Sequence, residues 1–113
     1  MANKIVVDGV EYIKKEVPVD QPYVIVRSDR AGVFAGNLVS HSGNEVTLNN
    51  SRRIWFWAGA ASLSQLALDG TSKPKDCKFP EAIDNHVILG VIEVLPCSEK
   101  AEKSLKGVSI WRE

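Results

Sequence analysis

The feature that most constrains the fold is a series of short apolar, β-branched runs separated by turn residues. The run PYVIVRS, at residues 22–28, is rich in valine and isoleucine, which is typical of a strand. The following sequence, SDRAGVFAGNLVSHSGNEVTLNN, has turn residues at 29–32 and 42–44 and predicts a strand after each of them. Gly36 interrupts the first of these strands and predicts a bulge or a sharp bend. These patterns predict a mainly β protein.

Further elements are predicted at the two ends of the chain. In KIVVDGVEYIKKEV, apolar residues alternate on both sides of Asp8-Gly9, which predicts an N-terminal β-hairpin. Towards the other end, HVILGVIEVL predicts a buried strand, SEKAEKSLK a short helix and VSIWRE an edge strand. Short strands with one or two short helices favour a small, strongly bent barrel of the SH3 or Sm-like kind, preceded by the hairpin.

The length of the chain, 113 residues, predicts a single domain that spans residues 1–113. Its predicted parts are the hairpin at 1–17, the barrel at 22–97 with an inserted helix at about 62–69, and a C-terminal helix and strand at 98–113.

Charge and cysteine content argue against several classes of function. Fourteen basic and fourteen acidic residues give no net charge, whereas extended binding to DNA rests on many neutralised phosphates. No apolar window is long enough for a membrane span, and the N-terminus lacks the apolar region of a secretory signal. The two cysteines and two histidines are not spaced as zinc ligands. We therefore expect a cytosolic protein with no metal, no cofactor and no membrane partner.

The segment RRIWFWAGAASLSQLAL, at residues 52–68, concentrates arginines, aromatic residues and a predicted helix start. Turn residues at 49–51 predict that RRIWFW is a separate strand. Alternation divides this strand into two faces, one with Arg53, Trp55 and Trp57, the other with Arg52, Ile54 and Phe56. Because tryptophan and arginine are both enriched at protein interfaces, one interpretation is that one face is core and the other is an oligomer interface.

A second interpretation is that this segment binds a nucleotide. An arginine presents a fork of N–H donors to phosphate, and tryptophan offers a flat face for a base. The small residues of AGAAS let a backbone or a ligand approach closely. Ser62, with Gln65 three positions later, predicts a capped helix start whose free N–H groups can bind an anion. Arg27 ends an apolar strand and could add positive charge to the same site.

Catalysis is poorly supported by the sequence. There is no GxSxG, no Walker-type glycine-rich loop and no HExxH motif. His41 lies in a predicted turn, and His86 begins an apolar strand, where a structural role is favoured over that of a general base. We therefore predict no catalytic residues, and a bound nucleotide would be sequestered or sensed.

Several blocks of the sequence resemble a family of small phage proteins that were long described only as a domain of unknown function. The blocks are YVIVRS, AGVFAGNLVS, RRIWFWAGAASLSQLA, and KFPEAI followed by IEVLP. The resemblance extends over roughly residues 22–112, and RRIWFWAGAASLSQLA is its most specific block. Its members are similar to the anti-CBASS sponges, which bind cyclic di- or oligonucleotide immune signals of bacteria and so keep host effectors inactive.

This resemblance implies a homo-oligomer, expected to be a tetramer, that holds a cyclic nucleotide such as cGAMP near subunit interfaces in the host cytoplasm without turnover. It implies Arg53 as the phosphate ligand, Trp55 or Trp57 as the stacking residue, and the backbone of residues 31–33 as a ligand contact. The full set of predicted ligand-binding residues is Arg27, Ala31, Gly32, Val33, Arg53, Trp55, Trp57, Gly59, Ala60, Ser62 and Gln65. The alternatives are an Sm-like RNA-binding module and a structural or assembly protein whose Trp-rich face is an oligomer interface.

Overall fold

Strands provide most of the regular structure in the computed structural model, which describes residues 4–7, 10–13 and 21–113. Strands β1 (Lys4–Val7) and β2 (Val10–Ile13) pair as an antiparallel hairpin, with Val7 opposite Val10. This agrees with the predicted N-terminal hairpin, and its predicted turn at Asp8-Gly9 lies outside the described residues.

The main sheet has five antiparallel strands in the order β6-β5-β4-β3-β7. Its strands are β3 (Tyr23–Ser28), β4 (Gly32–Ser42), β5 (Glu45–Arg53), β6 (His86–Ile88) and β7 (Val91–Pro96). The prediction of a mainly β protein is thus confirmed.

The main sheet is strongly bent because its two edge strands follow each other in the chain. Only Leu89 and Gly90 lie between the end of β6 and the start of β7. The three steps from Ile88 to Val91 span at most about 11 Å, whereas four strand spacings of a flat sheet come to about 19 Å. The sheet must therefore curl until its edges approach each other. The strand pairing within residues 21–113 does not join β6 to β7, so closure of the predicted barrel stays a prediction.

The long hairpin of β4 and β5 is irregular where the sequence predicts a bend. The pairing register shifts between Ala35 and Asn37, around Gly36. However, the predicted turn at residues 49–51 is wrong, because β5 continues without a break to Arg53. Asn50 has a φ of 54°, a conformation that asparagine tolerates better than most residues. The chain therefore kinks at Asn50 and stays in the sheet.

Both faces of β3 are buried, which explains the nearly continuous apolar run in this strand. Tyr23 and Ile25 belong to the core cluster on one face, and Val24 and Val26 belong to the cluster on the other face. Successive side chains of a strand point to opposite faces, so a strand between two cores needs apolar residues at every position. The helices α1 (Leu63–Asp69) and α2 (Glu99–Lys106) contribute only to the first cluster.

Each of the two helices is preceded by a capping serine. The helices pack on the face of the sheet that carries the first core cluster, which we call the outer cluster, and the cluster on the other face is the inner cluster. Ser62 accepts a hydrogen bond from the Gln65 N–H, and Ser98 caps α2 in the same way. The predicted helix at about 62–69 is thus present. The predicted C-terminal strand is not formed, because the residues after α2 make a single parallel bridge between Ile110 and Phe79.

Candidate functional site

A cleft of about 260 Å³ lies where the chain leaves the end of β5. It is lined by Ala31, Gly32, Val33, Arg53, Ile54, Trp55 and Trp57. All of these except Ile54 are in the predicted ligand-binding set. Sheet pairing brings the two segments together, since Phe34 lies opposite Arg53 and the Ile54 N–H donates to the Val33 carbonyl at 2.8 Å. We call this the Arg53 cleft.

The guanidinium of Arg53 is held in place at this cleft while remaining exposed. Its Nη1 donates to the Ala31 carbonyl at 2.6 Å, and its Cζ lies 4.5 Å from the centre of the Phe34 ring. Gly32 has a φ of 108°, a conformation that favours glycine, and the chain turns there, next to the Ala31 carbonyl. Within residues 21–113 this is the one hydrogen bond that Arg53 donates, so the remaining N–H groups of its fork can meet a phosphate.

The neighbouring Arg52 has the opposite environment. Only 6% of its surface is exposed, and each of its five N–H groups faces a backbone carbonyl. The acceptors are the carbonyls of Phe79, Pro80, Leu105, Val108 and Ser109, at 2.7–3.3 Å. Burial lowers the pKa of Arg52 from its ordinary value. Arg52 therefore joins three segments of the chain and has no donor left for a ligand.

The two tryptophans of the cleft differ in what they can offer to a ligand. Trp55 is 63% exposed. Trp57 is half-buried against the outer core cluster, and its indole N–H donates to the Ala60 carbonyl at 3.2 Å. Trp55 is therefore the tryptophan with a ring open to a ligand, and Trp57 forms a wall of the cleft. Phe56 is also exposed, because the strand ends at Arg53 and the predicted alternation stops there.

Arg27 does not line the Arg53 cleft. It lies opposite Glu93 in the pairing of β3 and β7, and its Nε donates to that carboxylate at 2.8 Å. Arg27 also lies opposite Val33 in the pairing of β3 and β4, so it neighbours the cleft without lining it, and its part in ligand binding stays a prediction.

The predicted anion cap at Ser62 is used in part by the chain itself. The Ser62 hydroxyl accepts from Gln65 N–H at 3.1 Å, and the Gln65 side chain accepts from Ala61 N–H at 2.8 Å. The capped helix start is thus formed, in a helix of seven residues, and its part in binding an anion stays a prediction. Gln65 and Gly59 instead line a second, more polar cleft of about 320 Å³, together with Asp69, Gly70, Thr71, Ser72 and Lys100.

Gly59 is required for the close approach of another part of the chain. It has a φ of 85°, and an added Cβ would lie 2.5 Å from the Lys73 nitrogen and 2.6 Å from Thr71 Oγ1. The Thr71 hydroxyl in turn donates to the Ala58 carbonyl. The loop at residues 71–73 therefore packs directly on Gly59.

This packing predicts a stability cost for Gly59→Ala. We expect the free energy of unfolding to fall by about 2–3 kcal/mol, from left-handed backbone strain and from overpacking. Gly43→Ala is the matched control, because Gly43 has a φ of 59° but nothing lies within 4 Å of the added Cβ. Urea denaturation of both variants separates the two causes, and equal losses would contradict the packing argument.

Two residues near the cleft escaped the sequence analysis, Trp111 and Lys78. The rings of Trp55 and Trp111 are within 8° of parallel, with centroids 6.5 Å apart. Lys78 Nζ lies 5.5 Å from the centre of the Trp111 ring. The sequence signal for this pair was limited to the tryptophan in VSIWRE. Its pairing with Trp55 depends on the bridge between Phe79 and Ile110, which local sequence patterns do not reveal.

A serine and histidine pair lies beneath the cleft but has no access to it. Ser51 Oγ is 3.0 Å from His86 Nδ1, and the His86 ring meets the Phe34 ring edge-on. Burial, followed by the charge of Arg53, lowers the pKa of His86 from its ordinary value. Ser51 is only 1% exposed, so this pair does not present a nucleophile to a substrate.

The described residues offer neither a cluster of metal ligands nor a helix that could span a membrane. In that part of the chain, no three His, Cys, Asp or Glu residues are grouped as metal ligands. No helix there has the length and apolar character needed to cross a membrane.

Comparison with known proteins identifies a family for this chain. A model of a domain of unknown function, DUF6948, matches residues 21–105. No curated protein and no solved structure matches the chain. The match includes all seven residues that line the Arg53 cleft and extends over more than half of the sequence. The chain therefore belongs to the DUF6948 family.

Proposed function

We propose that this protein is a non-enzymatic viral sponge that binds a cyclic nucleotide immune signal and so blocks host anti-phage defence. The ligand is a cyclic dinucleotide such as cGAMP or a related signal. The observation that carries this proposal is the Arg53 cleft, where an exposed arginine, an exposed indole and a turn of backbone meet. The resemblance of RRIWFWAGAASLSQLA to the phage family supports the same function.

The chemistry of the cleft suits one nucleotide unit. Arg53 supplies charge-assisted N–H donors for a phosphate, and Trp55 supplies a flat apolar face for the base. The two side chains come from positions 53 and 55 at the end of β5, so one short segment sets their spacing. The Ala31 carbonyl and the Phe34 ring hold the guanidinium in place before a ligand binds. The entropic cost of ordering this side chain on binding is therefore reduced.

The size of the cleft supports binding by more than one subunit. Its volume of about 260 Å³ is below the range of roughly 300–1,000 Å³ that is usual for sites enclosing a small ligand. A cyclic dinucleotide has two bases and two phosphates, so one cleft would enclose only part of it. The proposal therefore includes a homo-oligomer, expected to be a tetramer, whose clefts each take part of a ligand.

A second candidate is an assembly protein whose aromatic surface is an oligomer interface. It is favoured by the exposure of Trp55, Phe56 and Ile110, each of which is more than half exposed in the single chain. Large exposed apolar groups often mark a surface that another protein covers. This function predicts no nucleotide binding.

Titration calorimetry with a panel of cyclic di- and trinucleotides tests the proposal. We expect one signal to bind with micromolar or tighter affinity and to be recovered chemically intact after denaturation. Absence of binding across the panel by the oligomeric protein would refute the sponge function, and recovered hydrolysis products would indicate an enzyme.

Arg53→Gln is expected to weaken this binding by about 10- to 100-fold, because a charge-assisted hydrogen bond contributes about 1.5–3 kcal/mol. Lys106→Gln is the control, since it removes an exposed cation on α2 that pairs with Glu102 and does not line the cleft. Its affinity should match that of the wild type. Chromatography must show the same oligomer for both variants, and unchanged binding by Arg53→Gln would remove the arginine from the site.

A further inference from the structure

The chain carries an aromatic surface beside the Arg53 cleft that reaches beyond the family match. Trp55 is 63% exposed and Trp111 is 38% exposed, although their rings lie side by side. Residue 111 lies after the end of the matched segment at residue 105. We call Trp55, Trp111 and Lys78 the indole platform.

The indole platform is held firmly by backbone hydrogen bonds. Trp55 N–H donates to the Lys78 carbonyl at 3.1 Å, and Trp111 N–H donates to the Phe79 carbonyl at 2.9 Å. Residues 78–79 thus lie between the two tryptophan segments and set their spacing. The segment after α2, at residues 107–113, which we call the tail, also makes an ion pair between Arg112 and Glu81 at 3.3 Å. Trp111 is therefore positioned by the fold before any ligand binds.

The arrangement of the two indoles leaves a stacking surface open. Their planes are within 8° of parallel and their centroids are 6.5 Å apart. Trp111 can cover only one of the two faces of Trp55, which accounts for the large exposed fraction of Trp55. A planar ring placed on Trp55 would extend the stack, and a nucleobase is such a ring.

The charges around the indole platform favour an anionic ligand. Lys78 Nζ is 5.5 Å from the Trp111 ring, and Arg53 shares the cleft with Trp55. Ion pairs within residues 21–113 join Arg27 to Glu93, Lys106 to Glu102 and Arg112 to Glu81, and so leave both of these cations out. A second copy that docked here by two-fold symmetry would bring the Arg53 and Lys78 groups of both copies towards each other. A base that carries a phosphate instead brings the opposite charge.

We infer that the indole platform is a nucleobase-binding subsite, in which the base stacks on the face of Trp55 that Trp111 leaves open, while Lys78 and Arg53 attract its phosphate. The inference rests on the proposed function and adds to it how the base is bound. It assigns to Trp111 the positioning of the Trp55 ring and to Lys78 a role in attracting the phosphate, and the sequence pattern indicated neither residue.

Trp111→Leu tests the subsite with the cyclic dinucleotide that the wild type binds. We expect binding about 2- to 10-fold weaker, because the variant keeps an apolar side chain but loses the aromatic pair that positions the Trp55 ring. Trp111→Phe should recover part of the affinity. Lys78→Gln should weaken binding and make it less dependent on salt, which a purely structural role of Lys78 would not do. Leu68→Ala, at an exposed position on α1, is the control and should bind like the wild type.

The outcomes separate this inference from the proposed function. If the wild type binds no member of the panel, the proposed function fails and the subsite fails with it. If the wild type binds and both Trp111→Leu and Lys78→Gln bind equally well, the subsite is overturned while the sponge function stands. If Trp111→Leu dissociates the oligomer, the platform is a protein interface and the inference is overturned. Quenching of tryptophan fluorescence by the ligand in Trp57→Phe, and its reduction in Trp111→Leu, would support stacking on the platform.

Discussion

Arg52→Gln is expected to lower the free energy of unfolding by about 3–5 kcal/mol, although Arg52 carries no ligand in the proposed site. The arginine is almost fully buried and donates to five backbone carbonyls. Glutamine is shorter and has two donors, so most of these buried carbonyls would lose their partner. A buried polar group left without a hydrogen bond costs about 1–3 kcal/mol.

The position of Arg52 makes this cost global. Its fork connects β5 with the carbonyl of Leu105 in the last turn of α2, with that of Val108 after the helix, and with the segment at Phe79 and Pro80. These are the segments that position Trp111 beside the cleft. We therefore expect loss of Arg52 to release the tail as well as to destabilise the fold, with lower fluorescence anisotropy of the tryptophans as the sign of the released tail.

Arg53→Gln is the matched control for this prediction, because it is the same substitution at the next position. Arg53 is exposed and donates one hydrogen bond within the described part of the chain, so its loss should change stability by no more than about 1 kcal/mol. Arg52→Lys should fall between the two, since lysine keeps the charge but not the planar fork. Guanidinium denaturation of the three variants measures all of these values. A loss of less than 1 kcal/mol in Arg52→Gln would contradict the assigned role.

The contrast between Arg52 and Arg53 shows what could be read from the sequence. Alternation along a strand correctly separated the two arginines onto opposite faces. It could not say which face was buried, because each face carried one arginine and two apolar residues. Which face is buried depends on where α2 and the tail pack. Their contacts with Arg52 join residues that are more than fifty positions apart in the chain.

The predicted site was partly assembled by the structure for a similar reason. The turn at 31–33 and the segment at 53–57 meet because β4 and β5 form one long hairpin, which the strand and turn pattern indicated. Ser62 and Gln65 were correctly assigned to a helix cap, because the capping pattern is local to four consecutive residues. Gly59 was correctly identified as a place of close approach, and the approaching group is the loop at 71–73.

Trp111 marks the limit of local patterns. Its position was predicted to be an edge strand, and the structure forms a single bridge there instead. The hydrogen bond that orients it runs to Phe79, which belongs to an irregular segment without strand periodicity. Such a contact has no signature in either segment alone, so only the folded chain reveals the indole platform.

Phe34→Ala is the second substitution with a large expected effect, about 3–5 kcal/mol of lost stability. Phe34 is fully buried in the inner core cluster, at 0% exposure. Its ring is nearly perpendicular to that of His86, with the centroids 5.0 Å apart, and its centroid lies 4.5 Å from Cζ of Arg53. Removing the ring therefore leaves a cavity in the core. It also removes the surface on which the guanidinium of Arg53, the proposed phosphate-binding residue, rests.

Phe34→Leu separates the two roles of this ring. Leucine keeps most of the apolar volume, so the stability loss should shrink to about 1–2 kcal/mol. The aromatic face is lost all the same, and a cation over an aromatic ring is worth about 0.5–1 kcal/mol at an exposed site. We expect the affinity for the cyclic nucleotide to fall two- to five-fold, measured by calorimetry at a temperature where the variant is fully folded.

Leu48→Ala is the control that links this result to the site and not to stability in general. Leu48 is fully buried in the same core cluster as Phe34, so its loss should cost about 2–5 kcal/mol. Leu48 is not among the residues that line the Arg53 cleft. Among the described residues, the ring that the Arg53 guanidinium contacts is that of Phe34. Its affinity for the ligand should therefore equal that of the wild type. If Leu48→Ala weakens binding as much as Phe34→Leu does, core stability sets the affinity, and Phe34 does not position Arg53.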